Sequence, residues 1–323
     1  MLKIGLISDE LTRATLRNSG LKVLNLSSYN WKKQIESFLP DIVLVESAWR
    51  GINNSWQNKI AKNEQSCKDF NANLKKLILY LEQNKIVSVF WNKEDPVHFD
   101  RFIDSAKLFS NILTIDNSSI PRYLSEGKKD VKIMPFFINP EIHNFKKFKK
   151  LDRTLFYGSF SNHIHEKRRL WQLNAFKVAS QNNRLVVFDR NFFKRSQIYK
   201  YPRDNISLLL PKIPYRLTGY LAASFKINLS FSNFISETAF SRRLIEILAC
   251  GSLVITNKTD AHKIFEEFIF QGEDEYEINE CYQKIKRMKK NEYQNFTNAG
   301  SVSILEKYNL QKILIKEIEK IIE

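Results

Sequence analysis

Residues 71–91 read NANLKKLILYLEQNKIVSVFW. Leu74, Leu77, Ile78 and Leu81 recur at helical spacing between Asn71 and Gln83, and Val87 to Trp91 follows as a short β-like run. The stretch is therefore a helix feeding a strand. The alternation continues toward the N-terminus, where Lys3 to Ser8, Leu21 to Leu26 and Ile42 to Glu46 read as strands and Trp31 to Phe38 as a helix. Downstream, Ile112 to Ile115 and Val131 to Met134 read as two more strands. Strands alternating with helices imply a parallel sheet covered on both faces, hence an α/β fold.

After Pro135 and Pro140 comes a Lys/Phe-rich stretch, His143 to Lys150, and then the rhythm resumes with Thr154 to Tyr157, Arg184 to Phe188, Ile206 to Leu209 and Phe225 to Leu229. Helix Phe240 to Cys250, stopped by Gly251, and strand Leu253 to Thr256 continue the series. A chain of 323 residues has the length of two domains. They are expected at 1–145 and 146–303, with a final amphipathic helix over roughly 304–323. The halves share a rhythm without an internal repeat.

Hydrophobic residues make up 43% and charged residues 27% of the chain, which excludes a disordered protein. Cys67, Cys250 and Cys281 are too scattered for a disulfide framework or a Cys-x-x-Cys metal site and fit a reducing cytoplasm. The opening residues Met1 to Asp9 meet acids after a few apolar positions, so no secretory leader is expected. The longest apolar stretches, such as Ile86 to Trp91, fall far short of the ~20 residues that span a bilayer. A cytoplasmic protein is expected, with a peripheral place at the inner face of the cell membrane also open.

The net charge is +16, and most of it lies in residues 146–216, where 17 lysines and arginines face only Asp152, Glu166, Asp189 and Asp204. Such a segment attracts phosphate, whether of a nucleotide, a nucleic acid or an anionic membrane. A plainer account makes Lys146, Lys147, Lys149 and Lys150 a solvated, extended linker. No RNA-binding aromatic signature or zinc-finger spacing accompanies the charge.

Absent motifs narrow the chemistry. The chain contains no Gly-x-Gly, no phosphate loop, no His-Glu-x-x-His and no Asp-x-Asp. Nicotinamide and flavin cofactors are therefore not expected, nor is a bound metal. His163 and His165 form the one close histidine pair and read as a loop pair without metal.

The segment Ser236 to Gly251, SETAFSRRLIEILACG, carries the densest chemistry. Wrapped as a helix, Phe240, Leu244, Ile247 and Leu248 form one stripe, with Arg242, Glu246 and Ala249 opposite. Arg242 and Glu246 also suit a functionally silent surface pair worth ~0.3 kcal/mol. Two arginines in a first turn, however, oppose the positive end of the helix dipole, which an anion such as a diphosphate would explain. Glu246, one turn deeper, then accepts hydrogen bonds from two adjacent sugar hydroxyls.

This stretch resembles the C-terminal segment of the CgeB-like, spore-maturation-protein-type family of GT-B glycosyltransferases. The resemblance runs almost end to end, through Ser8 to Thr12, Val45 to Gly51 with Trp56, Phe90 to Asp100, Tyr157 to Phe160, Asp189-Arg190, Ile213 to Tyr215 and Ile227 to Ser230. It implies two Rossmann-like domains with parallel sheets facing a cleft, the second holding a nucleotide-sugar donor and the first a glycan or lipid-linked glycan acceptor. It further implies ribose contact by Glu246, diphosphate contact by Arg242 or Arg243, donor approach at Gly158 and Ser159 with Arg190 nearby, and a base bordered by Ile213 to Tyr215. Where many retaining relatives carry Glu-x7-Glu, Thr238 stands eight residues before Glu246 and Glu237 one place off. A glutamate contact to the transferred sugar is therefore not carried over, Thr238 stands among the donor-site candidates, and the stereochemical outcome stays open. The stretch Asn228 to Ser232 also lacks a second asparagine expected of the family.

The implied reaction moves a sugar, without metal, in bacterial surface polysaccharide synthesis; nucleic acid is not among the expected partners. If the sugar inverts, a general base comes from the strand ends Asp9, Glu10, Glu46, Glu94, Asp95 and His98, with the cluster Glu94, Asp95 and His98 preferred. Asp9 alternatively caps a helix near Leu11, and Asp95-Pro96 alternatively opens one. Two other functions share these features: a nucleic-acid or anionic-membrane binder built on the basic segment, and a nucleotide-sugar epimerase on the same scaffold.

Overall fold

The computed structural model describes every residue except 18, 65, 145–148, 164, 234 and 235. Twelve strands are found among the described residues. The first six are β1 (Lys3–Ile7), β2 (Lys22–Asn25), β3 (Ile42–Glu46), β4 (Val87–Asn92), β5 (Asn111–Thr114) and β6 (Val131–Ile133). The helices among them are α1 (Glu10–Leu16), α2 (Trp31–Phe38), α3 (Ala72–Gln83), α4 (Phe99–Ala106) and α5 (Ile120–Ser125). The later strands are β7 (Leu151–Gly158), β8 (Leu185–Asp189), β9 (Leu208–Pro211), β10 (Phe225–Leu229), β11 (Leu253–Thr256) and β12 (Phe270–Gln271). Their helices are α6 (Glu166–Asn182), α7 (Thr218–Ser224), α8 (Arg242–Ala249), α9 (Glu275–Arg287), α10 (Lys290–Lys307) and α11 (Lys316–Ile322).

The chain divides into two compact units, residues 1–139 with 236–239 and 310–323, and residues 140–235 with 240–309. The exchange at 139/140 precedes the expected boundary at 145/146, which lies outside the described residues, as do Lys146 and Lys147 of the expected linker. Lys150 departs from the linker expectation. Its ammonium donates to the Ala223 carbonyl and Ser252 Oγ, both at 2.8 Å, and burial lowers its pKa to about 8.

In the first unit six parallel strands run in the order β2-β1-β3-β4-β5-β6. Every residue of β3 is buried, as a strand covered on both faces requires. Leu74, Leu77, Ile78 and Leu81 of α3 pack with Val43, Val45 and Phe90 of the sheet, each large side chain contributing roughly 1.5–3 kcal/mol by leaving water.

The second unit has the parallel order β12-β11-β10-β7-β8-β9. Its strand sequence thus reverses direction between β7 and β10, as that of the first unit does between β1 and β3. In open parallel sheets such reversals open a crevice beyond the carboxyl ends of the strands, where ligands bind. Gly158 ends β7 and Asp9 follows β1, so both lie at these positions.

Three local readings change. Strand β9 begins at Leu208 rather than Ile206, because Leu208 pairs with Val186; Pro211 is tolerated there since β9 is an edge strand. Helix α8 begins at Arg242, not Phe240, and Gly251 follows it at φ +63°, the left-handed turn that glycine allows. The single helix expected over 304–322 is interrupted. Tyr308 leaves helical geometry and packs edge-on against Phe240, and the chain passes to the first unit at Leu310 before α11 begins. Among the described residues no helix is long and apolar enough to cross a membrane.

Candidate active site

Helix α8 places Arg242 and Arg243 in its first turn and Glu246 in its second. Arg242 Nε donates to Glu246 Oε1 at 2.9 Å, so the i,i+4 pair of the sequence exists, but its side chains are only 10% and 6% exposed. Tyr215, which precedes α7, donates its hydroxyl to the same Oε1 at 2.5 Å and accepts from Arg242 Nη2 at 2.6 Å. Tyr215 is itself buried and lies against His143, which bonds Thr218 at 2.9 Å. Tyr215, expected beside a base, thus helps lock the Glu246 carboxylate. Among the described residues no hydrogen bond engages Glu246 Oε2.

Arg243 differs from its neighbour. Its guanidinium lies over Phe156 and Tyr157, at 5.5 and 5.0 Å, and among the described residues it has neither a carboxylate nor a hydrogen-bond partner. A Cβ added at Gly158 would lie 3.1 Å from Arg243 Nη2, so the absence of a side chain there leaves the guanidinium open to the strand end. The Tyr157 hydroxyl is buried without a partner among the described residues, and its pKa is raised by burial and by the Glu246 charge.

Arg168, in the first turn of α6, donates to the Ser159 carbonyl at 2.9 Å. Burial and the nearby charges of Arg243 and Arg190 lower its pKa to about 10, which still leaves it cationic at neutral pH. Arg190 is exposed, and its backbone N–H donates to the Gly158 carbonyl at 2.7 Å. None of these three arginines has a carboxylate partner among the described residues. A cavity of about 140 Å³ adjoins Arg168, lined also by Ser159, Gln172 and Asn191 among others. Three mutually repelling cations around one strand end call for an anion. Arg168 escaped the sequence reading, although it repeats the signal of Arg242 and Arg243: arginine in a helix's first turn after a parallel strand.

Thr238 lies in the first unit. Its hydroxyl donates to the Ile115 carbonyl at 3.0 Å and accepts from the Asn117 N–H at 2.9 Å, and Ser236 donates to Asp116 at 2.5 Å. Those bonds anchor the Thr238 segment.

In the first unit Asp9, Glu46 and the Lys93 to His98 turn gather at the carboxyl ends of β1, β3 and β4. Asp9 stands at the N-cap of α1, yet its side chain makes no capping bond. It accepts instead from the backbone N–H groups of Trp49, Arg50 and Gly51 at 2.9–3.0 Å, holding the loop after β3. Asp95 is fully buried and accepts from Asn92, Thr114 and Tyr123. Burial raises its carboxyl to about 7. Each aspartate thus accepts three hydrogen bonds from the protein, which hold it in place in the scaffold around the strand ends. Helix α4 opens at Phe99, with His98 rather than Asp95 at its cap.

Glu94 is the partly exposed carboxyl of the cluster. Burial raises its pKa to about 7 against the opposing pull of Lys93 and a hydrogen bond with Trp49. Trp49 in turn packs edge-on against the His98 ring at 5.1 Å. Lys93 bonds the buried Glu46 at 3.0 Å, and the attraction of Glu46, Glu94 and Asp9 outweighs desolvation to raise its pKa. A carboxyl that titrates near neutrality beside a fixed ammonium suits proton transfer. Among the described residues no group of three or more His, Cys, Asp or Glu side chains is placed to hold a metal ion.

The two-unit α/β architecture is that of the GT-B glycosyltransferases. An α-glucosyltransferase solved with UDP-glucose and DNA containing an abasic site superimposes with a TM-score of 0.64 at 11% identity, over 99% of this chain and 90% of that one. Anabaena HepE in complex with UDP-glucose gives 0.60 at 10% identity over 98% and 90%. Sucrose-phosphate synthase from Thermosynechococcus elongatus gives 0.55 at 10% over 91% and 76%. No protein-family model and no curated protein matches the chain by sequence.

Proposed function

We propose that this protein is a glycosyltransferase that moves a sugar from a UDP-sugar to a glycan acceptor. The observation that carries the reading is the combination, at the strand-order reversal of the second unit, of the locked Glu246 carboxylate with three arginines that have no carboxylate partner among the described residues. Glu246 Oε2 accepts the ribose hydroxyls, while Tyr215 and Arg242 fix the carboxylate's orientation. Arg243 and Arg168 face the diphosphate, and the α8 N-terminus adds its dipole. The neighbours solved with UDP-glucose favour uridine as the base.

Glycosyl transfer builds negative charge on the departing diphosphate while the anomeric carbon becomes cationic. Guanidinium groups already in place stabilise that charge without reorganisation, and in this reading they take the part of a divalent cation. The first unit holds the acceptor. For an inverting transfer, Glu94 takes the proton of the attacking hydroxyl, with Trp49 and Lys93 orienting it and His98 beside it. The acceptor is assigned to surface polysaccharide synthesis of the CgeB-like type and to a lipid carrier, since the basic segment 146–216 favours an anionic membrane.

UDP-glucose is expected to raise the melting temperature in the presence of EDTA, and slow donor hydrolysis is expected to release UDP. No shift with any UDP- or ADP-sugar would count against the reading. Because Glu94 acts when ionised, kcat/KM should rise with pH through an inflection near 7 and level off above it. Glu94→Gln should lose that inflection; an unchanged profile would move the base elsewhere.

A further inference from the structure

Between β8 and β9, beyond Arg190, the second unit carries charge that the donor site does not use. From Asn191 to Arg203 there are four cations, Lys194, Arg195, Lys200 and Arg203, and no acid. The Lys194 N–H donates to the Asn191 carbonyl at 2.8 Å, closing a turn with Phe192 and Phe193 at its centre. The two rings pack edge to face at 5.2 Å, and Phe193 is 83% exposed. Lys194 and Arg195 follow, both exposed, and Ile198 adds a second exposed apolar side chain. The far side of the loop is tied down. Asn162 N–H donates to the Ile198 carbonyl at 2.8 Å, Lys194 Nζ lies 4.1 Å over Tyr199, and Tyr199 packs on His163. Phe193 is thus held at an apex, in water, by a loop whose conformation is otherwise bonded.

We propose that this loop is a membrane-contact element that seats Phe193 at the headgroup level of an anionic bilayer, with Lys194, Arg195 and Lys200 meeting lipid phosphates. An exposed apolar tip followed directly by exposed cations fits the interface, where the phenyl ring leaves water while the charges stay at the surface. A single-stranded nucleic acid would instead call for a groove of spaced aromatics along its track. The proposal rests on the lipid-carrier part of the preceding reading and names the surface that would serve it.

Flotation with phosphatidylcholine vesicles, with and without phosphatidylglycerol, tests it on the full chain. The wild type is expected to float with the anionic vesicles alone and less so as salt increases. Losing the charges at Lys194 and Arg195 by Lys194→Gln with Arg195→Gln should weaken partitioning about 25-fold, at roughly fivefold for each charge. Phe193→Ser should weaken it about tenfold or more. Phe193→Trp should still float and shift its emission to the blue on anionic vesicles. None of these changes should alter the UDP-glucose melting shift, which separates a folded variant from a damaged one.

Charge and serine variants that float like the wild type, or a Phe193→Trp variant whose emission does not move, would overturn the loop assignment and leave the lipid-carrier reading standing. A wild type that never floats would overturn both. Loop-dependent binding to DNA that vesicles do not compete for would overturn the lipid assignment in favour of nucleic acid. The donor reading stands or falls separately, on UDP-glucose.

Discussion

Glu246→Gln is expected to weaken UDP-glucose binding about hundredfold, since two charge-assisted hydrogen bonds to the ribose at ~1.5 kcal/mol each are reduced to neutral ones or lost. The measurement is titration calorimetry with UDP and UDP-glucose. Glutamine keeps an acceptor for Tyr215 and Arg242, so the fold around α8 should survive. Glu246→Ala is a harsher change. It would leave Arg242, only 10% exposed, without its anion, and breaking such a pair costs about 3–5 kcal/mol of stability. The sequence alone suggests an alanine variant that fails to bind yet folds undisturbed; the buried Arg242–Glu246–Tyr215 arrangement removes that expectation and makes glutamine the informative substitution. Full donor affinity in Glu246→Gln would refute the ribose assignment.

The second large effect is at Arg243. Its removal should lower kcat by about 10²–10³, the loss expected when one fixed donor to a developing anion is taken away. Arg243→Ala should at the same time leave the ligand-free protein as stable as the wild type, or more stable by some tenths of a kcal/mol. The reason is electrostatic: Arg243 opposes the positive end of the α8 dipole and the charge of Arg168, and it has no carboxylate partner among the described residues. A cation retained at a position that costs stability points to a ligand that repays it. Melting curves with and without UDP, read beside steady-state rates, check both halves. A variant that melts earlier without ligand and turns over normally would make Arg243 a packing residue. Arg168→Ala is expected to behave in the same direction.

Much of this site was legible in the chain because its signals are local. The i,i+4 spacing of Arg242 and Glu246, the two arginines in a first turn and Gly251 at the helix end all depend on covalent neighbours, and helical geometry alone puts them in register. The strands β3 and β11 match their expected limits because buried parallel strands are written as nearly continuous apolar runs, and β10 matches its limits although Lys226 and Asn228 interrupt its apolar residues. Where the reading slipped, the deciding contact was remote. Strand β9 takes its register from β8, and the two-residue β12 has too little pattern to read without its neighbour β11.

The sequence by itself determined the α/β class, the presence of two parallel-sheet domains, the location of the excess charge and the helix that carries Arg242, Arg243 and Glu246. Only the tertiary structure decided which acids were spoken for. Asp9, Asp95 and Thr238 have the residue types of a catalytic or binding group, and nothing in their neighbours excludes that. Backbone N–H groups about 40 residues away donate three hydrogen bonds to Asp9, and Thr114 and Tyr123 join the nearby Asn92 in donating to Asp95. Periodicity is set by bonds along the chain, whereas the pKa of a carboxyl and the freedom of its lone pairs are set by whatever folding brings beside it. The same distinction separates Arg242, which found Glu246 within one helix turn, from Arg243, which has no carboxylate partner among the described residues, a fact visible only when β7 and α6 were in place around it.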